Sequence, residues 1–330
     1  MKRNKLMAFY IASIISILVM TGIILRWYAP DDNKTMPSKA SPYRLACVYS
    51  GASDYYKASL EEGLKQAAQE NGIWVDFISL KSNQIDKHCT ELDKAIASKV
   101  DGIITNIPDA GMIEPYIDKA GKNKIPVILI ESDLPGSKRI SFIGTYEYEF
   151  GENAARLLMN SSGKSKIANF KNATDDKYDL KDLGFRDTLP KDMETEMFIA
   201  NEDSVIEYTN LAQTILVRSD INSFFCPNAE STLGVVRAMI EFNKTNSTVI
   251  GAGDSQEILQ YVKSGLLYAS LAEDSFSIGH LAVNNMLKYL KGESISDSIN
   301  PKIIIITKDN ADKVIDERKA RVNYGKESMG

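Results

Sequence analysis

From Tyr43 onward the chain alternates short β-branched runs with amphipathic helical windows, and it does so in two successive cycles. The first cycle places strands at Arg44–Ser50, Ile73–Ser79, Asp101–Ile107, Pro126–Ile130 and Ser141–Gly144, with helices between them. The second places them at Lys166–Phe170, Glu194–Ala200, Asn222–Cys226, Thr248–Ile250, Leu267–Leu271 and Lys302–Thr307. Strands that are apolar at nearly every position are covered on both faces, and strands alternating with helices run parallel. The expectation is an α/β fold of two Rossmann-like lobes with parallel sheets. A length of 330 residues allows each lobe its own core.

Open parallel sheets bind ligands outside the carboxyl ends of their strands, at the point where the strand order reverses. Here those ends are Tyr49-Ser50-Gly51, Asn106, Glu131-Ser132-Asp133, Phe170, Cys226-Pro227-Asn228, Gly251–Asp254 and Glu273-Asp274. They are rich in carboxylates and amides, which make paired hydrogen bonds to neighbouring hydroxyls, so the pattern suits a polyol. An aromatic such as Tyr56 can cover the apolar face of a sugar ring. For Asp54 and Asp254 a plain helix-capping role competes with ligand binding, because an acid at a helix N-terminus is favourable in itself. Isolated lysines such as Lys57 and Lys181 are usually solvated. Trp74, opening a strand, reads as packing.

Other chemistries lack their parts. The formal net charge of −5 leaves no basic excess for nucleic acid. Cys47, Cys89 and Cys226 have no C-x-x-C spacing and read as small buried hydrophobes, and His88 and His280 offer little to a metal or a triad. Gly251-Ala252-Gly253 has Gln256 where a dinucleotide fingerprint needs its third glycine, and Ser162–Ser165 lacks the first glycine of a P-loop. With no nucleophile–base pair and no metal cluster, the chain reads as a binding protein without a cofactor; an enzyme acting on a small polar ligand, with paired carboxylates across a cleft serving as acid and base, is the alternative.

Residues 6–25, LMAFYIASIISILVMTGIIL, carry no charge and follow Lys2, Arg3 and Lys5. Twenty residues at 1.5 Å each make ~30 Å, one hydrocarbon core, longer than a cleavable signal's apolar region. Arg26-Trp27-Tyr28 stands where a signal peptidase needs small residues. The expectation is an uncleaved single-pass transmembrane helix with a cytoplasmic N-terminus and the remainder outside the cell membrane. Residues 29–42, rich in Pro, Ser and charge, read as a linker.

The order RLACVYS, EEGLKQAAQENG, DGIITNIPD, IPVILIESDLPGSKRISFIG, then LGF, FFCPNAESTLGVVRAM, VIGAGDS and KSGLLYASLAEDSFSIGHLAVN resembles the ribose-type periplasmic sugar-binding proteins. That resemblance spans Tyr43 to Lys308. It implies the type I periplasmic binding protein fold, with three chain crossings forming a hinge near Thr145, Glu273 and Pro301. Lobe 1 is then 43–145 with 274–301, and lobe 2 is 146–273 with 302–330, after an anchor at 1–28. By position the family's ligand contacts fall on Asp54, Tyr56, Lys57, Asn106, Glu131, Ser132, Lys181, Asn228, Asp254 and Glu273. Departures exist. The family's Asp-Arg after the fourth strand is Glu131-Ser132, an Arg is replaced by Lys181, and Gly253 stands where an acid is usual. Within the family the chain is most similar to membrane-anchored proteins that present sugars, xylose among them, to a sensor histidine kinase. The implied ligand is a monosaccharide, a pentose such as xylose, and the implied partner is a kinase ectodomain, with an ABC permease as the alternative.

Overall fold

The computed structural model describes residues 43–51, 54–161, 166–173, 177–218 and 220–317. The expected membrane helix at 6–25 and the linker at 29–42 lie outside them. Among the described residues no helix is long and apolar enough to cross a membrane. The fold belongs to the unit that begins at Tyr43.

Its first half runs β1 (Arg44–Ser50), α1 (Asp54–Asn71), β2 (Trp74–Leu80), α2 (Ile85–Ala97), β3 (Gly102–Thr105), α3 (Ala110–Lys122), β4 (Val127–Ile130) and β5 (Ser141–Ile143). Then follow α4 (Glu147–Asn160), β6 (Lys166–Asn172), α5 (Lys177–Thr188), β7 (Thr195–Ala200), α6 (Val205–Leu216), β8 (Ile221–Phe225) and α7 (Ala229–Glu241). Next come β9 (Thr248–Ala252), α8 (Gln256–Ser264), β10 (Ala269–Ala272), α9 (Ser275–Leu290), β11 (Ser298–Ile299) and β12 (Ile304–Thr307), and residues 311–317 are again helical. Two six-stranded sheets result, ordered β11-β5-β4-β3-β1-β2 and β12-β10-β9-β8-β6-β7.

Each sheet is covered on both faces, and the period of two along a strand shows how. In β1, Ala46 and Val48 join one core with Leu92, Ile96, Ile113 and Ile117, while Leu45, Cys47 and Tyr49 join the opposite one with Leu60, Leu64, Ile278 and Val283. In the second sheet Ala168 and Phe170 face Tyr208 and Val235, whereas Ile167 faces Phe150, Ala154 and Phe185. The three cysteines are buried and free, as small hydrophobes are.

One strand departs from the expected parallel arrangement. β12 pairs antiparallel with β10. The cause is topological. β11 runs parallel to β5 and ends level with it, so the chain crosses directly to the second sheet from the carboxyl-end side. It must then run away from that side, against β10. β11 itself, in a polar stretch, carried no apolar signal.

The two lobes use the same device to bring a helix pair together. A Cβ on Gly63 of α1 would lie 2.0 Å from the Phe276 carbonyl oxygen, and one on Gly279 of α9 2.4 Å from that of Leu60. In the other lobe a Cβ on Gly151 of α4 would lie 2.0 Å from the Lys181 carbonyl oxygen, and one on Gly184 of α5 2.1 Å from that of Tyr148. Backbone packs on backbone at both places, and the second fixes where the Lys181 side chain starts.

Candidate functional site

The carboxyl ends of the strands in the two sheets face one cavity of about 290 Å³. That volume is at the lower edge of the ~300–1,000 Å³ usual for small-molecule sites. Tyr49, Gly51, Tyr56 and Glu131 line it from the first lobe, and Phe150, Lys181, Asp203, Asn228, Glu230, Asp254 and Glu273 are among those lining it from the second lobe and its crossing.

On the first side the Tyr49 and Tyr56 rings stack with centroids 5.7 Å apart. Gly51 is required beside them, since a Cβ there would meet the Tyr49 ring and hydroxyl at 2.5 Å. Burial, followed by the Glu131 carboxylate, pushes the Tyr49 phenol far above its ordinary range, so it stays a donor to Glu131. Burial, then Glu131 and Glu273, do the same to Tyr56. Glu131 itself sits at φ 65°, in the left-handed region, as the chain turns off β4. Lys99, Lys124 and Asn243, each just past a helix end, adopt the same region, so the conformation by itself marks a tight turn.

Asn106 lies beneath this wall. Its amide nitrogen donates to the Ser50 carbonyl (2.7 Å) and to Glu131 (3.3 Å), and its amide oxygen accepts from the Ser50 N–H (3.0 Å). The residue ties the end of β3 to the end of β1 and orients Glu131. Beneath it again is His88, fully buried on α2, with Nδ1 2.7 Å from Ser50 Oγ and Nε2 2.7 Å from Thr105 Oγ1. Burial lowers its pKa to about 4, so it is a neutral strut.

On the second side Lys181 is nine-tenths buried. Its ammonium donates to the Pro227 carbonyl (3.2 Å), pairs with Glu147 (3.3 Å) and stands 4.3 Å over the Phe150 ring. Asn228 donates from its amide nitrogen to Tyr178 (2.5 Å) and Asp203 (2.6 Å), and Tyr208 also donates to Asp203 (3.2 Å). Burial, and then the Asp203 carboxylate, raise the pKa of Glu230 in the first turn of α7.

Of the residues expected from sequence, Tyr56, Glu131, Lys181, Asn228, Asp254 and Glu273 are thus gathered round one cavity. Lys57, Asn106 and Ser132 are not among the residues that line it, and the Asp54 side chain lies outside the described ones. Asn228 does start a helix: its side-chain oxygen accepts from the Ser231 N–H in a capping box, so it both caps α7 and lines the cavity. Asp254 is not a cap, because Ser255 takes that place on α8. Lys181, which the resemblance places in the site although an isolated lysine is usually solvated, is buried. Trp74 is neither packing nor site. It is 57% exposed at the start of β2, its indole donating to Asp76. Glu230 and Phe150 were missed, an acid in a helix's first turn and an apolar residue in another being indistinguishable from ordinary helix content.

Two α/β lobes with a ligand-sized cavity between the carboxyl ends of their strands define a cleft-type binding protein. Residues 45–294 match a family described as a periplasmic binding protein domain, and the chain belongs to that family. It is 25% identical over 302 residues to the periplasmic protein TorT of Escherichia coli O157:H7, covering 88% of this chain and 86% of that one. Among solved structures, GanP, a glucose-galactose binding protein from Geobacillus stearothermophilus, is 27% identical with a TM-score of 0.72, covering 82% and 99% of the two chains. The chain in a XylFII–LytSN complex is 24% identical with a TM-score of 0.70, also covering 82% and 99%, which is a likeness of fold.

Proposed function

We propose that this chain is an extracytoplasmic receptor that closes its lobes on one monosaccharide-sized ligand and presents the closed form to a membrane partner, a sensor histidine kinase ectodomain. One observation carries the reading: a single cavity of about 290 Å³ takes its walls from both lobes, with carboxylates and an amide at the strand ends. A ligand touching both walls binds the closed state better, and shifts the lobes toward it by that differential affinity. The hinge is the three passages between the sheets, after β5, after β10 and after β11. The membership in a periplasmic binding protein family and the likeness to a glucose-galactose binding protein support the ligand class. For the partner, support comes from the charge-free segment at 6–25, which restricts a tethered receptor to neighbours in the same membrane. The fold shared with a chain solved in complex with a second protein adds to it. An ABC permease is the alternative partner.

The experiment is a calorimetric titration with a panel of pentoses, hexoses and their amino derivatives, with the ligand recovered and analysed afterwards. At least one should bind saturably at a single site and be recovered unchanged. Turnover of the sugar makes the chain an enzyme, and silence across the panel removes the ligand class.

A further inference from the structure

Ser50 stands between two residues that line the cavity, Tyr49 and Gly51, and two side chains that do not line it hold it in place. The backbone ladder between β1 and β3 stops at the Val48–Thr105 pair, short of Ser50. Past that point side chains take over. Asn106 bonds both the Ser50 N–H (3.0 Å) and the Ser50 carbonyl (2.7 Å), and its amide nitrogen also donates to Glu131 at 3.3 Å. His88, on α2, spans the same gap from beneath, with Ser50 Oγ and Thr105 Oγ1 each 2.7 Å from one of its ring nitrogens. Thr105 directly precedes Asn106, so the imidazole grips the residue on β1 that Asn106 binds and the residue on β3 that carries it.

Core filling does not account for an imidazole here. Its neighbours along α2 that face the same core are Cys89, Leu92 and Ile96, and His88 is as buried as they are. Burying a polar ring costs free energy unless both nitrogens are bonded, and an apolar side chain would fill the space without that cost. What an apolar side chain would not do is hold the ends of β1 and β3 together past their ladder. Glu131 depends on that junction. Among the described residues it is the carboxylate that the first lobe turns toward the cavity, and it rests on Asn106 and Tyr49. A carboxylate selects a ligand hydroxyl by direction, and its direction is set by the bonds behind it.

Resting on the reading of this cavity as the ligand site, we infer that His88 is a positioning residue for ligand binding: it fixes the Ser50–Asn106 junction and so sets the direction in which Glu131 meets the ligand.

The test is calorimetric titration of the full chain with xylose, ribose, glucose, galactose, glucosamine and galactosamine. His88→Leu should weaken the tightest-bound of these sugars about three- to tenfold. His88→Gln, whose amide can bridge both hydroxyls, should recover most of that loss. Glu131→Ala also weakens binding, and in its background His88→Leu should change the affinity by less than about twofold, because the group it aims is gone. Ile117→Ala, in the same core but away from these bonds, should lose stability and keep its affinity within about twofold of wild type. Where Glu131→Ala binds too weakly to titrate, the glutamine rescue and the core control decide. Should His88→Leu not fold, Ser50→Ala breaks the next link and carries the same expectations. Wild-type affinity in His88→Leu overturns the inference, as does an equal loss with and without Glu131. A matching loss in Ile117→Ala overturns it too, since general loosening of the lobe would then suffice. Each of these outcomes leaves the receptor reading intact; that reading falls if the wild type binds none of the sugars.

Discussion

The strut beneath the site makes stability depend on pH in a way that can be worked out. His88 meets Ser50 Oγ through Nδ1 and Thr105 Oγ1 through Nε2, both at 2.7 Å, a pair of contacts that a neutral imidazole satisfies with one donor and one acceptor nitrogen. Protonation would place a charge in a fully buried site and force whichever of the two hydroxyls donates to the ring to redirect. The folded-state pKa is accordingly depressed, from 6.5 to about 4. Between those values the unfolded chain binds the proton and the folded one does not, so stability rises with pH and is lost as pH falls from 6.5 toward 4. From pH 7 to pH 5 the loss assignable to this one group is about 2 kcal/mol. That is a large part of the ~5–15 kcal/mol that holds a typical domain together. The assay is urea unfolding at both pH values for the wild type and for His88→Gln, which retains a donor and an acceptor but cannot titrate. The variant should start lower at pH 7 and lose about 2 kcal/mol less on acidification. Equal losses in the two proteins would refute the assignment of a neutral buried imidazole.

Other perturbations give equally definite expectations. Lys181→Met strands Glu147, itself only one-tenth exposed, and should cost ~3–5 kcal/mol in urea unfolding, with Glu147→Gln in the same chain recovering most of it. Gly51→Ala drives a Cβ into the Tyr49 ring and should cost ~1–3 kcal/mol while changing the tyrosine near-ultraviolet circular dichroism, both of which an unstrained alanine would leave alone. Arg139, whose side chain is 4% exposed, joins Asp133 after β4 to Asp297 just before β11. Arg139→Met should destabilise by ~1.5–3 kcal/mol and speed hydrogen exchange at 297–299, and unchanged exchange there would show that the bridge does not hold the crossing segment.

Much of the architecture was readable because its signals are local. The apolar runs of β1, β3 and β4 and the amphipathic windows between them are sufficient for doubly covered sheets, and the strand-end rule located Glu131, Asn228, Asp254 and Glu273 before any geometry was known. What escaped depends on long-range relations. β12 looks like its parallel neighbours in composition, and only the return from β11 reverses it. Asn106 reads as a ligand contact, yet two of its bonds go to the Ser50 backbone, so Asn106→Ala should destabilise the empty protein by ~1–3 kcal/mol as well as weaken binding. Lys181 has a charged, solvated look in one dimension. Its burial follows from Gly151 and Gly184 drawing α4 and α5 together, a contact between residues far apart in sequence. Glu230 differs from any acid in a first helical turn only through the cavity it faces.

The central claim, that one small ligand is held from both lobes at once, is tested most directly by a crystal structure of the ligand-bound protein. The account predicts a single molecule in the cavity within hydrogen-bond distance of Glu131 on one side and of Asn228 or Asp203 on the other, with Asn106 and His88 still bracing Ser50 beneath it. A ligand seated on one lobe alone, or outside the cavity, would contradict it.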